Sequence, residues 1–363
     1  TAFAAGRPQG AMAAPLHGVI YLLALFTKET GVMIAPLYAA YEWIVARRSP
    51  KNSWRIYAAM AASLALYLAL RVHALGGLAP SQQTHHHLSA PEFVMSAATI
   101  LGQYLAYLIW PPQLNFFHIF EATTSPTPVL AASVLAIGTL LWAALRFRST
   151  LPSATFGILW ILLAIAPALN LTGVGQNVFA ERYLYLPSIG FAWLAALAWM
   201  RLDARRPTWA RALAAVLLIV FAARAWARNA DWTDDATLLA HTLQQSPTAA
   251  YLHNQMAGVW VEKRDIAKAV EEQRLAVRYD PAAPAYHKNL GILLVDTDPA
   301  AAAAEFETLV RLEPDLAQGH YDLGVAYEGM HQPERAISAY RRAIALAPAY
   351  SEAIEALRRL QPN

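Results

Sequence analysis

The sequence predicts an all-α protein in two unlike parts. These are a polytopic transmembrane helical domain over residues 1–230 and an α-solenoid of helical repeats over 231–363. Three observations predict it. First, 57% of the 363 residues are hydrophobic and 15% are charged, against about 25% charged in soluble domains. Second, the formal net charge of +3 hides a division: 16 basic and 6 acidic residues precede Asp231, and 12 basic and 19 acidic residues follow from it. Third, long apolar segments fill the first part, and a period of about 34 residues runs through the second. The absence of cysteine excludes disulfide scaffolds, thiol catalysis and zinc-finger or iron–sulfur ligation by thiolates.

A membrane-crossing helix needs about 20 apolar residues, with a range of about 17–25. Segments 12–27, 30–46, 54–71, 128–145, 152–168, 185–200 and 211–228 reach or approach that length. Trp43, Trp54, Tyr185, Trp199, Trp209 and Trp226 stand near their ends, where an interfacial belt places aromatic side chains. A buried soluble core is also apolar all round, but seven such segments in one half of the chain argue for a bilayer.

Segment 92–110 is different. Ser96, Thr99, Gln103 and Tyr107 recur on one face, so it either spans against protein or lies flat at the interface. The excess of cations on the cytoplasmic side of membrane proteins favours the second reading. If it does not cross, 11 of the 16 cations fall inside (Arg7, Arg47, Arg48, Lys51, Arg55, Arg146, Arg148, Arg201, Arg205, Arg206 and Arg211). If it crosses, the split is 8 to 8. An outer amphipathic helix with about seven spanning helices is therefore expected, with the acidic part outside.

Residues 317–350 carry His320, Leu323, Gly324, Tyr327, Ala336, Tyr340, Ala343 and Pro348 at tetratricopeptide-repeat offsets. Leu290, Gly291, the alanines near 302 and Pro314 make a second copy, one residue shorter around 296–298. Met256, Trp260, Ala269, Ala276 and Pro281 make a weaker third. A leading helix over 231–245 and a capping helix over 351–360 complete about three repeats. The capping helix is expected to expose Arg358 and Arg359. Such a solenoid binds rather than catalyses; its alternative role is a spacer or oligomerisation surface. Tyr286, Asn289, His320 and Tyr327 are the candidate residues for acceptor or partner binding.

With that topology, Lys28, Glu29, Arg71, Glu181, Arg182 and Tyr183 gather at the outer ends of the membrane helices. Lys28, Arg71 and Arg182 suit a phosphate or pyrophosphate, and Glu29 and Glu181 suit orienting those cations or binding sugar hydroxyls. The alternative is interfacial charges that snorkel to water. Asn170, Gln176 and Asn177 share the loop before Glu181. His85, His86 and His87 are read as a loop tract rather than a metal site, because adjacent residues cannot all point inward. Phe116, Phe117 and His118 are read as packing a loop onto the membrane surface, and Asn170-Leu171-Thr172 as a glycosylation sequon set against a helix end. No nucleic-acid site and no dinucleotide or phosphate-loop fingerprint is found.

The string from Ala180 to Phe191, with Arg182-Tyr183-Leu184-Tyr185-Leu186-Pro187-Ser188 at its centre, resembles the transmembrane and tetratricopeptide-repeat-containing O-mannosyltransferases, members of the GT-C superfamily. So do Thr27-Lys28-Glu29-Thr30, the segment from Trp110 to Phe117, and the order of membrane helices before repeats. The resemblance implies a glycosyltransferase that takes a polyprenyl-phosphate-linked sugar as donor and acts on the outer side of the membrane. It also implies that Lys28, Glu29, Glu181, Arg182 and Tyr183 line the donor or active-site cleft. The family's catalytic acid lies in an outer loop that nothing here matches. The chain is therefore expected to be an N-terminally truncated portion, inactive alone, with its general base elsewhere. The alanine-rich composition points to a bacterial relative, hence the inner membrane with periplasmic repeats. The expected partners are membrane lipid, the lipid-linked sugar and a protein or peptide held by the repeats. The other reading is a non-catalytic membrane-anchored repeat scaffold for envelope assembly or secretion.

Overall fold

The computed structural model describes residues 12–75, 77, 88–111, 115–169 and 179–361. Arg7, the histidine tract at 85–87, Asn170, Gln176, Asn177 and the sequon at 170–172 lie outside them. Every described regular element is helical, as the sequence predicts. The chain divides into two compact units, Thr1–Val220 and Phe221–Asn363.

The first unit contains α1 (Ala13–Thr27), α2 (Ile34–Ala40), α3 (Trp54–Leu75), α4 (Ala90–Ile109), α5 (Pro128–Phe147), α6 (Pro152–Ile165) and α7 (Tyr185–Arg205). The division falls inside α8 (Pro207–Asn229). Starts are written in the sequence. Ser89 and Glu92 form a capping box on α4, Thr127 caps α5 through the Leu130 N–H, and Pro128 and Pro152 sit where a helix needs no donor. Among the described residues six helices are long and apolar enough to cross a membrane: Lys51–Leu75, Ala90–Ile109, Pro128–Phe147, Pro152–Leu169, Glu181–Arg205 and Pro207–Trp232. The 22 residues of α3 rise about 33 Å, against a hydrocarbon core of about 30 Å. Within the Pro207–Trp232 window only 6% is buried inside the protein. Such a helix is costly in water and at home in lipid.

The single helix expected over 30–46 is instead three pieces. A 3-10 turn (Glu29–Met33) leads into α2, and a π turn (Tyr41–Val45) ends it. Pro36 is the local cause, since it has no N–H to give to the carbonyl of Val32 four residues earlier. That carbonyl accepts the Tyr21 hydroxyl instead, at 3.2 Å. At the other end the Ala46 N–H reaches the Tyr41 carbonyl five residues back, and Arg47 closes the segment with φ 51°.

Small residues let the membrane helices touch. The Ser63 hydroxyl of α3 donates to the Gly18 carbonyl of α1 at 2.9 Å. A Cβ on Gly190 of α7 would stand 2.8 Å from the Gly157 carbonyl of α6, so only glycine fits this crossing.

The second unit continues with α9 (Asp235–Gln245), α10 (Ala250–Glu262), α11 (Ile266–Tyr279), α12 (Pro284–Leu294), α13 (Pro299–Leu312), α14 (Ala317–Gly329), α15 (Pro333–Leu346) and α16 (Ser351–Leu360). Helices pair antiparallel as α10 with α11, α12 with α13 and α14 with α15. Leu290, Phe306, Leu309, Ala336 and Tyr340 fill the core between pairs. Gly324 packs on the ring of Tyr340 so closely that any Cβ would collide with it. Arg264 and His331 carry positive φ in the turns of the first and third pairs, and no non-glycine residue does so in the turn of the second, shorter one.

Candidate functional site

The first cluster forms where α1 ends and α7 begins. Lys28 is extended, leaves α1 with its N–H on the Ala24 carbonyl, and is exposed. The 3-10 turn Glu29–Met33 follows it, and the side chain of Glu29 lies outside what the structure describes. A second 3-10 turn, Glu181–Leu184, precedes α7. It sets the Tyr183 ring within reach of two cations: Lys28 Nζ is 5.8 Å from the ring centroid and Arg182 Cζ is 5.3 Å from it. Contacts of this kind hold a cation without neutralising it. Among the described residues no carboxylate pairs with Lys28 or Arg182.

Glu181 is engaged elsewhere. It accepts the backbone N–H of Asn115 at 2.5 Å and stands 3.7 Å from His118 Nε2. The His118 ring is wedged edge-on against Phe179 and Tyr107, with centroids at 4.9 and 6.0 Å. Beneath them Tyr104, fully buried, accepts the Ala180 N–H at 3.2 Å and stacks on Phe179 at 4.4 Å. The 115–127 segment also meets α4 where the Thr123 N–H donates to Ser96 Oγ at 2.8 Å.

Arg71 contacts α3's own Tyr67. It donates to the Tyr67 hydroxyl at 2.8 Å, and the Tyr67 ring packs edge-on against Phe26, two residues before Lys28. The structure thus brings Lys28, Arg182 and Tyr183 together, sets Glu181 on the 115–118 loop and holds Arg71 on Tyr67 of α3.

Reading the sequence missed Asn115 and His118. The Phe-Phe-His run looked like surface packing, whereas His118 turns its Nε2 into a buried position facing Glu181. The usable signal was the polar stripe of α4, whose Ser96 and Tyr107 both meet this loop.

In the second unit the four candidates separate. Tyr286 and Tyr327 are 5% and 6% exposed, so their rings belong to the packing rather than to an open surface. Tyr327 belongs to the buried core of the repeats, with Leu290, Leu294, Leu323 and Tyr340. The Tyr327 hydroxyl donates to Glu307 at 2.7 Å beneath the Arg335 guanidinium. His320 turns Nε2 to the Pro314 carbonyl at 2.9 Å. His253 and His287 do the same to Pro247 and Pro281, and also meet Glu272 and Glu305 through Nδ1.

Only Asn289 is openly exposed, and its amide donates to Asn254 in the preceding repeat at 2.8 Å. Lys288 reaches Gln318 in the next repeat at 2.9 Å. Asp322 follows on α14, with one carboxylate oxygen buried and without a hydrogen-bond partner. Burial pushes its carboxyl up to about 6, against the opposing pull of Lys288.

The tetratricopeptide repeat family model matches residues 317–350. A protein from Caenorhabditis elegans is 23% identical over 268 residues, which are 73% of this chain and 39% of that protein. Its name decides the comparison. The curated relatives are protein O-mannosyl-transferases. A Drosophila melanogaster protein O-mannosyl-transferase is 28% identical over 209 residues, 56% of this chain and 19% of its own length. The crystal structure of MamA aligns at 20% identity with TM-score 0.33, over 34% of this chain and 72% of that one. The chain therefore spans about two fifths or less of these O-mannosyl-transferase relatives, and the resemblance read from the sequence is borne out. The expected bacterial relative is not, since both of these transferases are animal proteins.

Proposed function

We propose that this chain is part of an integral-membrane glycosyltransferase of the GT-C type. It takes a sugar from a polyprenyl-phosphate donor and delivers it to a hydroxyl of a protein or peptide held by the repeats, on the outer side of the membrane. The observation that carries the reading is the Lys28–Tyr183–Arg182 arrangement: two exposed cations about one ring, with Glu181 drawn away to Asn115 and His118. Arg182 offers a two-pronged contact to a phosphate and Lys28 a point charge. Both gain strength as the departing lipid phosphate takes on charge. The acceptor hydroxyl loses its proton to a base on another part of the protein. Ser96 and Tyr104 of α4 both reach segments beside this cluster, which supports reading α4 as an outer, non-crossing helix.

The test is transfer of mannose from dolichyl-phosphate mannose by the full-length protein. R182A and K28A are expected to lower kcat by about 10²-fold each, the usual loss of one preorganised charge at a reacting centre. Full activity in both variants removes the proposed role. The engaged state of Glu181 favours the scaffold as the second reading, because that carboxylate is held in structural bonds. Wild-type protein that binds partners and transfers no sugar is the result that selects it.

A further inference from the structure

Away from that cluster, two turns of the first unit carry six cations, none of which pairs with a carboxylate among the described residues. Arg47, Arg48, Lys51 and Arg55 lie on the turn between α2 and α3, and Arg146 and Arg148 lie at the end of α5, about a hundred residues later. The structure joins the two turns. Arg47 Nη2 donates to the Ser149 carbonyl at 3.0 Å, and the Arg148 guanidinium lies 6.0 Å from the Trp43 ring. Arg55 lies 5.7 Å from the ring of Trp54. Trp43 and Trp54 are 57% and 60% exposed, the placement of aromatic side chains at a membrane interface. All of these cations but the half-buried Arg48 are exposed.

The two stretches of sequence that carry these turns hold one acid. Between residues 30 and 91 it is Glu42, and between 122 and 180 there is none. Glu42 is 1% exposed and is held by three hydroxyls: Ser53 Oγ at 2.5 Å, the Tyr57 hydroxyl at 2.9 Å and the Tyr38 hydroxyl at 3.2 Å. Among the described residues none of the six cations pairs with a carboxylate.

We infer that this face binds the phosphate headgroup of an anionic phospholipid, seated across the joined 46–55 and 146–149 turns with Trp43 and Trp54 at the acyl boundary. An unneutralised basic patch bordered by interfacial tryptophans is complementary to an anionic headgroup and not to a zwitterionic one. Glu42 turns its carboxyl oxygens to Ser53, Tyr57 and Tyr38 and, among the described residues, makes no ion pair with the patch.

The experiment is native mass spectrometry of the full chain released from mixed micelles holding equal phosphatidylglycerol and phosphatidylcholine. Wild type is expected to retain phosphatidylglycerol roughly tenfold over phosphatidylcholine. K51Q/R146Q/R148Q, which leaves the Arg47–Ser149 bond intact, is expected to bring the ratio near one. R341Q/R342Q in the repeats is expected to leave it unchanged. If the triple variant loses its thermal transition, K51Q/R55Q and R146Q/R148Q carry the same comparison. Equal retention of both lipids by wild type, or an unchanged preference in the folded variants, overturns the inference.

Discussion

The carboxylate of Glu181 accepts the backbone N–H of Asn115 at 2.5 Å, across 66 residues of chain. One bond thus fixes the 115–118 loop against the turn that carries Arg182 and Tyr183. Asn115 is 1% exposed, so its N–H has no route to water if the acceptor is removed. E181A should destabilise the first unit by about 1–3 kcal/mol, the cost of an orphaned buried donor, and E181Q by less, since an amide oxygen still accepts. Thermal unfolding in detergent measures both. An E181A variant as stable as wild type would show that the bond contributes nothing.

Glu42 makes a sharper case, with three hydroxyl donors on one carboxylate. E42A leaves Ser53, Tyr57 and Tyr38 without their acceptor and should cost about 2–4 kcal/mol, and E42Q should cost less. S53A/Y57F in the E42A background should recover part of the loss, because the stranded donors are then gone. A double-mutant cycle of thermal unfolding reads this, and strict additivity rules out the coupling.

The repeats carry a pH dependence of definite sign. The Glu305 bond raises the His287 imidazole above its usual range. At His253 burial pulls the imidazole down, and the bonds to Glu272 and the Pro247 carbonyl outweigh it and raise it. A raised imidazole stabilises the fold fully below the unfolded value of about 6.5, and that stability is lost as pH rises through the folded value. The unit should therefore unfold at lower denaturant at pH 8 than at pH 6, and H253Q/H287Q should flatten the difference. A wild-type midpoint that rises over this interval contradicts the assignment.

Asp322 works against the fold at neutral pH. Its carboxyl is raised to about 6, so the folded state prefers it protonated. Whatever it contributes is present below the unfolded value of about 3.9 and is lost as pH rises through about 6. The full shift corresponds to about 3 kcal/mol. Solvent reaches part of the group, so about 1 kcal/mol is expected. D322N should stabilise the chain by that amount at pH 7.5 and leave it unchanged near pH 4. A destabilised D322N at pH 7.5 would mean that the charge has a partner at this position.

Much of this was legible in the sequence, for physical reasons. Apolar length is read one segment at a time, and the repeat period recurs through Pro281, Pro314 and Pro348, so helices and solenoid follow from local counts. Lys28, Arg182 and Tyr183 were legible as parts of recognisable strings, although only folding shows that both cations share one ring. Glu42 was not. No motif in the sequence marks it, and two of its three donors, Ser53 and Tyr57, reach it only once the turn after α2 folds back. Tyr286 and Tyr327 show the opposite failure: a tyrosine on a binding scaffold suggests contact with a partner, but both rings are buried in the repeat packing.

Pro36 and Tyr21 encode the same bend twice. The proline withholds a donor from the Val32 carbonyl, and the phenol of a different helix supplies one. The position of the break is set locally, but its closure depends on α1 already lying alongside. Segment 29–40 thus gains its final shape only as a partner in helix association. The path of the chain just after Lys28 is a product of tertiary assembly, so damage to α1 should be felt first at the end of the bundle where its two unneutralised cations stand.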